Sequence, residues 1–241
     1  MKKKRLDEIL IERGLVKDKE EAFVRITGGF VFIEGQKAVS PAQQFDAHVS
    51  LRIREASPYV GRGGAKLASA FENFDLDVSG KVCVDIGAAT GGFTDVLLQR
   101  GARRVYAIDV GWGKLHPKLR HDARVVVMEK TNILYTASLP QPIEFVTADL
   151  SFTSLRFLLP VLKKFLKTGA ELILLFKPQY EVPKVDVTHG IVKDETVRLR
   201  ELRAFTEWAK GDGWDVKGVI PSPIHGAKGN VEYLVHLKCD T

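Results

Sequence analysis

The sequence predicts an α/β protein, a mostly parallel sheet covered by helices on both faces, preceded by a small α+β module. Three observations lead there. From about residue 81 onward, short β-rich apolar runs alternate with helical stretches, the pattern of a sheet buried on both sides. The apolar run ending at Ile86 passes directly into a loop of small residues and then a helix, as at a ligand-binding sheet edge. The first 56 residues follow a different pattern, two short helices and then a compact β unit.

Each element follows from local spacing. Residues 6–13 set Leu6, Ile9 and Leu10 at helical intervals, and Gly14 ends the run. A second helix is predicted over 19–27, broken by Gly28 and Gly29. Residues 30–33 read as a strand, Glu34-Gly35 as a tight turn, and Val49, Leu51 and Ile53 alternate with polar residues as in a half-buried strand. These elements make a first domain over 1–56. Ser57-Pro58-Tyr59 opens a linker over 57–60, and the second domain covers 61–241. Within the second domain, strands are predicted at 81–86, 104–109, 124–128, 143–149 and 171–176, with helices at about 63–73, 92–100, 154–167 and 194–211. Two more strands, 214–220 and 232–238, close the chain. The Pro/Gly-rich loop 221–230 between them is too short for a crossover helix, so they pair antiparallel. The predicted sheet therefore has seven strands, the last antiparallel.

Composition removes several classes of function. Hydrophobic residues make up 45% and charged residues 27%, the proportions of a soluble globular protein. Cys83 and Cys239 form no spaced framework. Cys83 lies in an apolar run, which reads as a buried free thiol in a reducing cytoplasm and gives no structural metal site. No stretch approaches the roughly 20 apolar residues that span a bilayer, and no apolar segment follows the basic start, so neither a membrane protein nor a secretory signal is expected. The basic excess is uneven. Residues 1–70 hold 13 Lys/Arg against 9 Asp/Glu, whereas the rest hold 23 against 21. That places a polyanion contact in the first third.

The most informative segment runs Asp85-Ile86-Gly87-Ala88-Ala89-Thr90-Gly91-Gly92-Phe93. Such a loop lets a ligand approach the backbone closely at a helix N-terminus. Asp109, about 20 residues on at the end of the next strand, suits ribose hydroxyls. A dinucleotide site wants Gly-x-Gly-x-x-Gly, and the spacing Gly87-x-x-x-Gly91-Gly92 does not supply it. The acid at Asp85 suits a cofactor carrying an ammonium group and no phosphate, and S-adenosylmethionine is one. Candidate donor contacts are Asp85, Gly87, Ala88, Thr90, Gly91, Gly92, Phe93, Asp109, Val110 and Asp149, with Glu129, Thr131 and Asn132 bordering an adenine. Trp112 reads equally as a cover for the cofactor or as packing.

Four ionisable residues stand at element ends. Asp149 ends the fourth strand and Lys177 the fifth, so both emerge at the cofactor edge of a parallel sheet. Glu232 opens the antiparallel last strand, which brings it to the same edge, and Lys66 lies on a helix able to cap the site. Two lysines and two carboxylates around one cleft make an acid–base apparatus for a poor nucleophile such as a ribose 2′-hydroxyl. A lysine serves there only if its reference pKa of about 10.4 falls through desolvation and a neighbouring cation. In-line positioning of the oxygen contributes beside proton removal.

These strings, in order over 61–237, resemble the hemolysin-A-like (TlyA) family of FtsJ-like ribosomal RNA 2′-O-methyltransferases. The matching segments are Gly61-Arg62-Gly63-Gly64-Ala65-Lys66-Leu67, the 85–94 loop, Asp109-Val110-Gly111, Asp149-Leu150-Ser151-Phe152, Phe176-Lys177-Pro178-Gln179-Tyr180-Glu181, and Ser222-Pro223-Ile224 through Gly229-Asn230-Val231-Glu232. The resemblance implies a Rossmann-like methyltransferase domain and a Lys-Asp-Lys-Glu tetrad on Lys66, Asp149, Lys177 and Glu232. It also implies S-adenosylmethionine as donor and a cytidine of ribosomal RNA, within ribosomal subunits, as target. Residues 5–54 resemble the S4-type RNA-binding domain of the same family through Arg5-Leu6-Asp7, Gly14-Leu15, Gly28 and Gly35. They depart from it at Asp18-Lys19, where Ser-Arg is usual, and at Glu34-Gly35, where Asn-Gly is usual. Candidate phosphate contacts are Lys2, Lys3, Lys4, Arg5, Arg13, Lys17, Lys19 and Arg25, with Arg62 beside the catalytic part. Three rivals are weaker. A membrane-active hemolysin lacks an evident amphipathic or spanning segment. A non-catalytic ribosome-assembly binder has no use for a donor loop, and a dinucleotide oxidoreductase lacks the glycine spacing.

Overall fold

The computed structural model describes residues 3–27, 30–53 and 58–240; Lys2, Gly28, Gly29 and Ser57 lie outside them. The chain packs as two units that divide between Pro58 and Tyr59. In the first, strand β1 (Lys4–Arg5) leads into helix α1 (Leu6–Glu12) and then α2 (Lys19–Thr27). Four short strands follow: β2 (Val31–Ile33), β3 (Gln36–Lys37), β4 (Gln44–Phe45) and β5 (Leu51–Ile53). Strand β2 is central between β3 and β5, and β1 pairs with β4. Leu6, Leu10, Val16, Ala22, Ile26 and Val31 form the core, which uses one stripe of each helix. The two-residue strands β1, β3 and β4 are too short to show a period in the sequence.

The second unit holds helix α3 (Gly64–Asn73), β6 (Val82–Ile86), α4 (Gly92–Gln99), β7 (Arg104–Asp109), α5 (Pro117–Arg120) and β8 (Val125–Glu129). It continues with β9 (Ile143–Ala148), α6 (Leu155–Leu162), β10 (Leu166–Phe176), α7 (Glu195–Gly211), β11 (Trp214–Pro221) and β12 (Tyr233–Cys239). The seven strands lie in the order β11-β12-β10-β9-β6-β7-β8, and β12 alone runs antiparallel to its neighbours β10 and β11. Alternate residues of each central strand serve opposite faces. Leu172, Leu174 and Phe176 enter one core beside α6 and α7, while Ile173 and Leu175 enter the other beside α3 and α4. Cys83 and Cys239 are free and buried, and burial pushes the Cys83 thiol up to about 12.

One predicted helix is shorter than its spacing indicated. The 154–167 run is helical only over Leu155–Leu162, which contains Pro160, and ends in a 3-10 turn at Lys163–Phe165. Strand β10 therefore starts at Leu166 rather than 171. It pairs Leu166 with Ile143, shifts register, and resumes at Glu171 opposite Phe145, with Gly169 in the shifted segment at φ +81°.

The strand order reverses between β6 and β9, whose carboxyl ends meet at the centre of the sheet. This is the switch point at which open α/β sheets bind ligands. Beside it α3 and α4 pack backbone to backbone: a Cβ on Gly92 would lie 2.7 Å from the Gly64 nitrogen. Gly92→Ala is therefore expected to destabilise the protein by about 1–3 kcal/mol, read as a lower urea midpoint at unchanged slope.

Candidate active site

A pocket of about 300 Å³ opens at the switch point. Its floor is Ile86, Gly87 and Ala89 after β6, and its walls are Asp109 and Val110 after β7, Thr131 to Leu134 after β8, and Asp149 to Thr153 after β9. Gly87 has φ +82°, and a Cβ there would sit 2.5 Å from the Asp149 carbonyl oxygen, so only glycine lets the two loops close. Ala89 also takes a positive φ, +48°, and donates its N–H to Asp109 Oδ2 at 2.9 Å. Gly111 donates to Asp109 Oδ1 at 2.6 Å, and Lys114 Nζ lies 3.6 Å from that oxygen.

Several sequence-predicted donor contacts have other roles. The Asp85 carboxylate is fully buried and faces inward. It accepts Thr94 N–H at 2.9 Å, Thr94 Oγ1 at 2.6 Å and Thr147 Oγ1 at 3.0 Å, so it fixes the loop on α4 instead of meeting an ammonium group. Desolvation raises its pKa to about 6, against the lowering effect of those hydrogen bonds. Ala88 and Phe93 pack in the core. Gly91 and Gly92 are glycines for close packing, against Leu115 and Leu119 and against the Gly61–Gly64 backbone. Thr90 lines a separate groove with Trp112. Glu129 is held by Arg120 at 2.6 Å and Gly113 N–H at 2.9 Å, so it shapes the 109–114 turn rather than a donor surface. Gly87, Asp109, Val110, Thr131, Asn132 and Asp149 do line the pocket. Ala89, Leu150 and Ser151 line it too; as small or apolar loop residues they carried no signal of their own.

The four ionisable residues come together beside this pocket. Lys177 Nζ lies 2.5 Å from Asp149 Oδ1 and 3.4 Å from Ser151 Oγ. Lys66 Nζ lies 3.9 Å from Asp149 Oδ2 and 2.6 Å from Glu232 Oε2. Lys66, Lys177 and Glu232 are buried, and Asp149 keeps a quarter of its side-chain surface. The result is an alternating run of carboxylate and ammonium groups with Asp149 as its shared member and its only opening to the donor pocket. Gly226 belongs to it as well, since a Cβ there would overlap the Glu232 carboxylate.

The candidate phosphate contacts of the first unit are differently placed. Lys3, Lys17 and Lys19 are exposed. Lys4 pairs with Glu12, Arg5 with Asp7 and Arg25 with Glu21, each at 2.7–3.0 Å, and Arg13 donates to the Ala47 carbonyl. Arg62 is exposed in the second unit. Among the described residues no helix is long and apolar enough to cross a membrane, and no His/Cys/Asp/Glu group is arranged to hold a metal ion.

A seven-stranded sheet with this strand order and a glycine-cradled pocket at its switch point fits the S-adenosylmethionine-dependent methyltransferases, the class to which its family match assigns the chain. Residues 59–239 match the model of the FtsJ-like methyltransferases, and the chain belongs to that family. The 16S/23S rRNA (cytidine-2′-O)-methyltransferase TlyA of Mycobacterium tuberculosis is 42% identical over 98% of this chain and 90% of its own. Hemolysin A of Brachyspira hyodysenteriae is 38% identical over 96% and 98%. A solved Streptococcus thermophilus structure whose title names a hemolysin superposes with TM-score 0.77 at 38% identity, over 99% of this chain and 89% of that one.

Two outcomes follow from the geometry. The folded protein binds a proton at Asp85 more tightly than the unfolded chain, so ionisation of this group opposes folding as pH rises from about 4 to about 6, by on the order of 3 kcal/mol. Urea unfolding should show the stability of the native protein falling relative to Asp85→Asn across that window and running parallel to it above; parallel curves throughout would contradict the assignment. Gly226→Ala should displace Glu232 from Lys66 and lower methyl-transfer kcat about 10-fold or more, with donor affinity by calorimetry unchanged.

Proposed function

We propose that this chain transfers the methyl group of S-adenosylmethionine to a ribose 2′-hydroxyl of ribosomal RNA, with cytidine as the target nucleotide and a ribosomal subunit in the cytoplasm as the carrier. The observation that carries the reading is the run Glu232–Lys66–Asp149–Lys177, which shares Asp149 with the donor pocket. The names of the M. tuberculosis relative and of a Campylobacter jejuni relative, 37% identical over 74% of this chain, support the RNA and the nucleotide. The S4-like reading of residues 1–56 and its exposed Lys3, Lys17 and Lys19 support a docking role for the first unit. On this reading residues 61–241 are the catalytic domain and 57–60 the linker.

The pocket fits the donor. Its floor is backbone that a Cβ at Gly87 would fill, and its wall carries Asp109, suited to ribose hydroxyls. Gly87, Ala89, Asp109, Val110, Thr131, Asn132 and Asp149 would hold the group, which supplies an electrophilic methyl on a sulfonium when bound. The chain's own residues do the rest. Lys177 orients the attacking oxygen and, in its neutral amine form, takes up the hydroxyl proton at Nζ as the C–O bond forms and the methyl leaves the sulfonium. Asp149 fixes that nitrogen in place. Lys66, held by Glu232, balances Asp149 from the other side, so that once Lys177 carries the proton two ammonium and two carboxylate groups are paired away from water. Exclusion of water strengthens each of these contacts, and alignment of the oxygen supplies much of the acceleration.

Incubation with labelled S-adenosylmethionine and ribosomal subunits should place label on a ribose 2′-oxygen. Lys177→Ala should reduce kcat by about 10²–10⁴-fold while leaving donor affinity near that of the native protein. Full activity of that variant would overturn the mechanism, and label on a base or on protein would overturn the substrate.

A further inference from the structure

Glu181 is a buried carboxylate that the mechanism above does not use. It lies four residues after Lys177, and the 3-10 turn Pro178–Tyr180 connects the two. Tyr180 N–H bonds to the Lys177 carbonyl and Glu181 N–H to the Pro178 carbonyl, both at 3.0 Å, so the segment is stiff. The Glu181 side chain reaches across to the loop that follows β9. Ser154 Oγ donates to Oε2 at 2.6 Å, Leu155 N–H to Oε1 at 2.7 Å and Arg156 Nη1 to Oε2 at 3.2 Å. Ser154 is the N-cap of α6, and Arg156 also pairs with Glu201 on α7 at 3.0 Å. The loop that Glu181 grips is the one carrying Asp149 and Ser151.

We infer that Glu181 is a positioning residue, which clamps the Lys177 segment to the Asp149–Ser151 loop and so sets the separation of Lys177 Nζ from Asp149. The two loops meet at the reacting end through Lys177, Asp149 and Ser151, and at the far end through Glu181. Between these points the Phe152 and Tyr180 rings touch, with centroids 5.3 Å apart, and Phe152 is largely exposed at φ +64°. Asp149 itself is anchored, its N–H on the Ile86 carbonyl at 2.9 Å and its carbonyl against Gly87, so the part left for the clamp to hold is the Lys177 segment. Burial raises the pKa of this carboxyl group, against the lowering effect of the bonds from Ser154, Leu155 and Arg156. The helix does not need Glu181 as its cap, since Ser154 already accepts Arg156 N–H at 3.1 Å.

The inference rests on the roles assigned above to Lys177 and Asp149, and its test separates the two. The side-chain ammonium signals of Lys177 and Lys66 are followed by 15N NMR in the full chain, with Lys177→Arg to assign the first. In Glu181→Ala the Lys177 signal should broaden or shift toward a solvent-exchanging lysine, while that of Lys66 stays. In the methyl-transfer assay kcat should drop on the order of 10-fold to 100-fold with KM and Kd for the donor within about 2-fold. Glu181→Gln, which keeps the length and the Leu155 contact, should recover part of the loss. Ser154→Ala cuts the same clamp from the other side and serves where Glu181→Ala does not fold; the Glu181→Gln/Ser154→Ala double variant should be no slower than the slower single variant. An unchanged Lys177 signal in the variants overturns the inference, as does loss of donor affinity in step with kcat. Absence of RNA methylation by the native protein overturns the proposed substrate alone, because the lysine signals still report the clamp.

Discussion

Everything at the sheet's carboxyl edge depends on Asp149. Its backbone closes on Gly87 so tightly that no other residue fits there, and its carboxylate is shared between two buried lysines. The residue stands at the end of β9, next to β6, where the strand order reverses. One side of it therefore belongs to the donor pocket and the other to the ion-pair run. Moving Asp149 would change the pocket floor and the Lys177 contact together, which in the proposed mechanism links binding of the donor to readiness for transfer.

The loops around that point are tied by carboxylates whose partners are mostly backbone or hydroxyl groups. Asp85 gathers the Thr94 N–H and two threonine hydroxyls, Asp109 gathers Ala89 and Gly111, Glu129 gathers Gly113 and Arg120, and Glu181 gathers Ser154, Leu155 and Arg156. Each acid joins two segments that are distant in sequence, and each supplies acceptors for N–H groups that a bent loop leaves without helix or ladder partners. Such loops gain rigidity without added apolar bulk. The pocket stays open because its walls are held by hydrogen bonds at their bases rather than by side chains filling its volume.

What was legible in the sequence is what periodicity and strand ends encode. Asp109 ends β7, Asp149 and Lys177 directly follow β9 and β10, and parallel strands put all three at one edge, so their convergence was readable from the alternation of β and α segments. Glu232 was readable once the short loop before it required an antiparallel return. The direction in which a side chain points was not legible. Asp85 precedes the glycine loop as a donor ligand would, yet its place in the alternation of β6 turns it inward toward Thr94 and Thr147. The predicted helix runs on to 167 because Phe165 and Leu166 continue the apolar spacing, while in the fold a 3-10 turn and the start of β10 take up those residues. Glu181 and Gly226 gave no warning, because each matters through a partner 26 or 6 residues away that only the fold brings into contact.

The ion-pair run also sets a condition on how this site can change. Two ammonium and two carboxylate groups largely removed from water are tolerable because each charge faces an opposite one; a loss that leaves a buried neighbour with no ion-pair partner costs roughly 3–5 kcal/mol. That cost falls on the ends unequally. Glu232 is almost wholly enclosed and has Lys66 as its ion-pair partner, whereas Asp149 keeps contact with solvent and has two lysines. Removal of Lys66 therefore strands Glu232, while removal of Lys177 leaves Asp149 still paired and partly hydrated. The arrangement concentrates structural debt at the Lys66–Glu232 end and leaves the Lys177 end, which faces the reacting oxygen in the proposed mechanism, free to exchange one partner for a substrate hydroxyl.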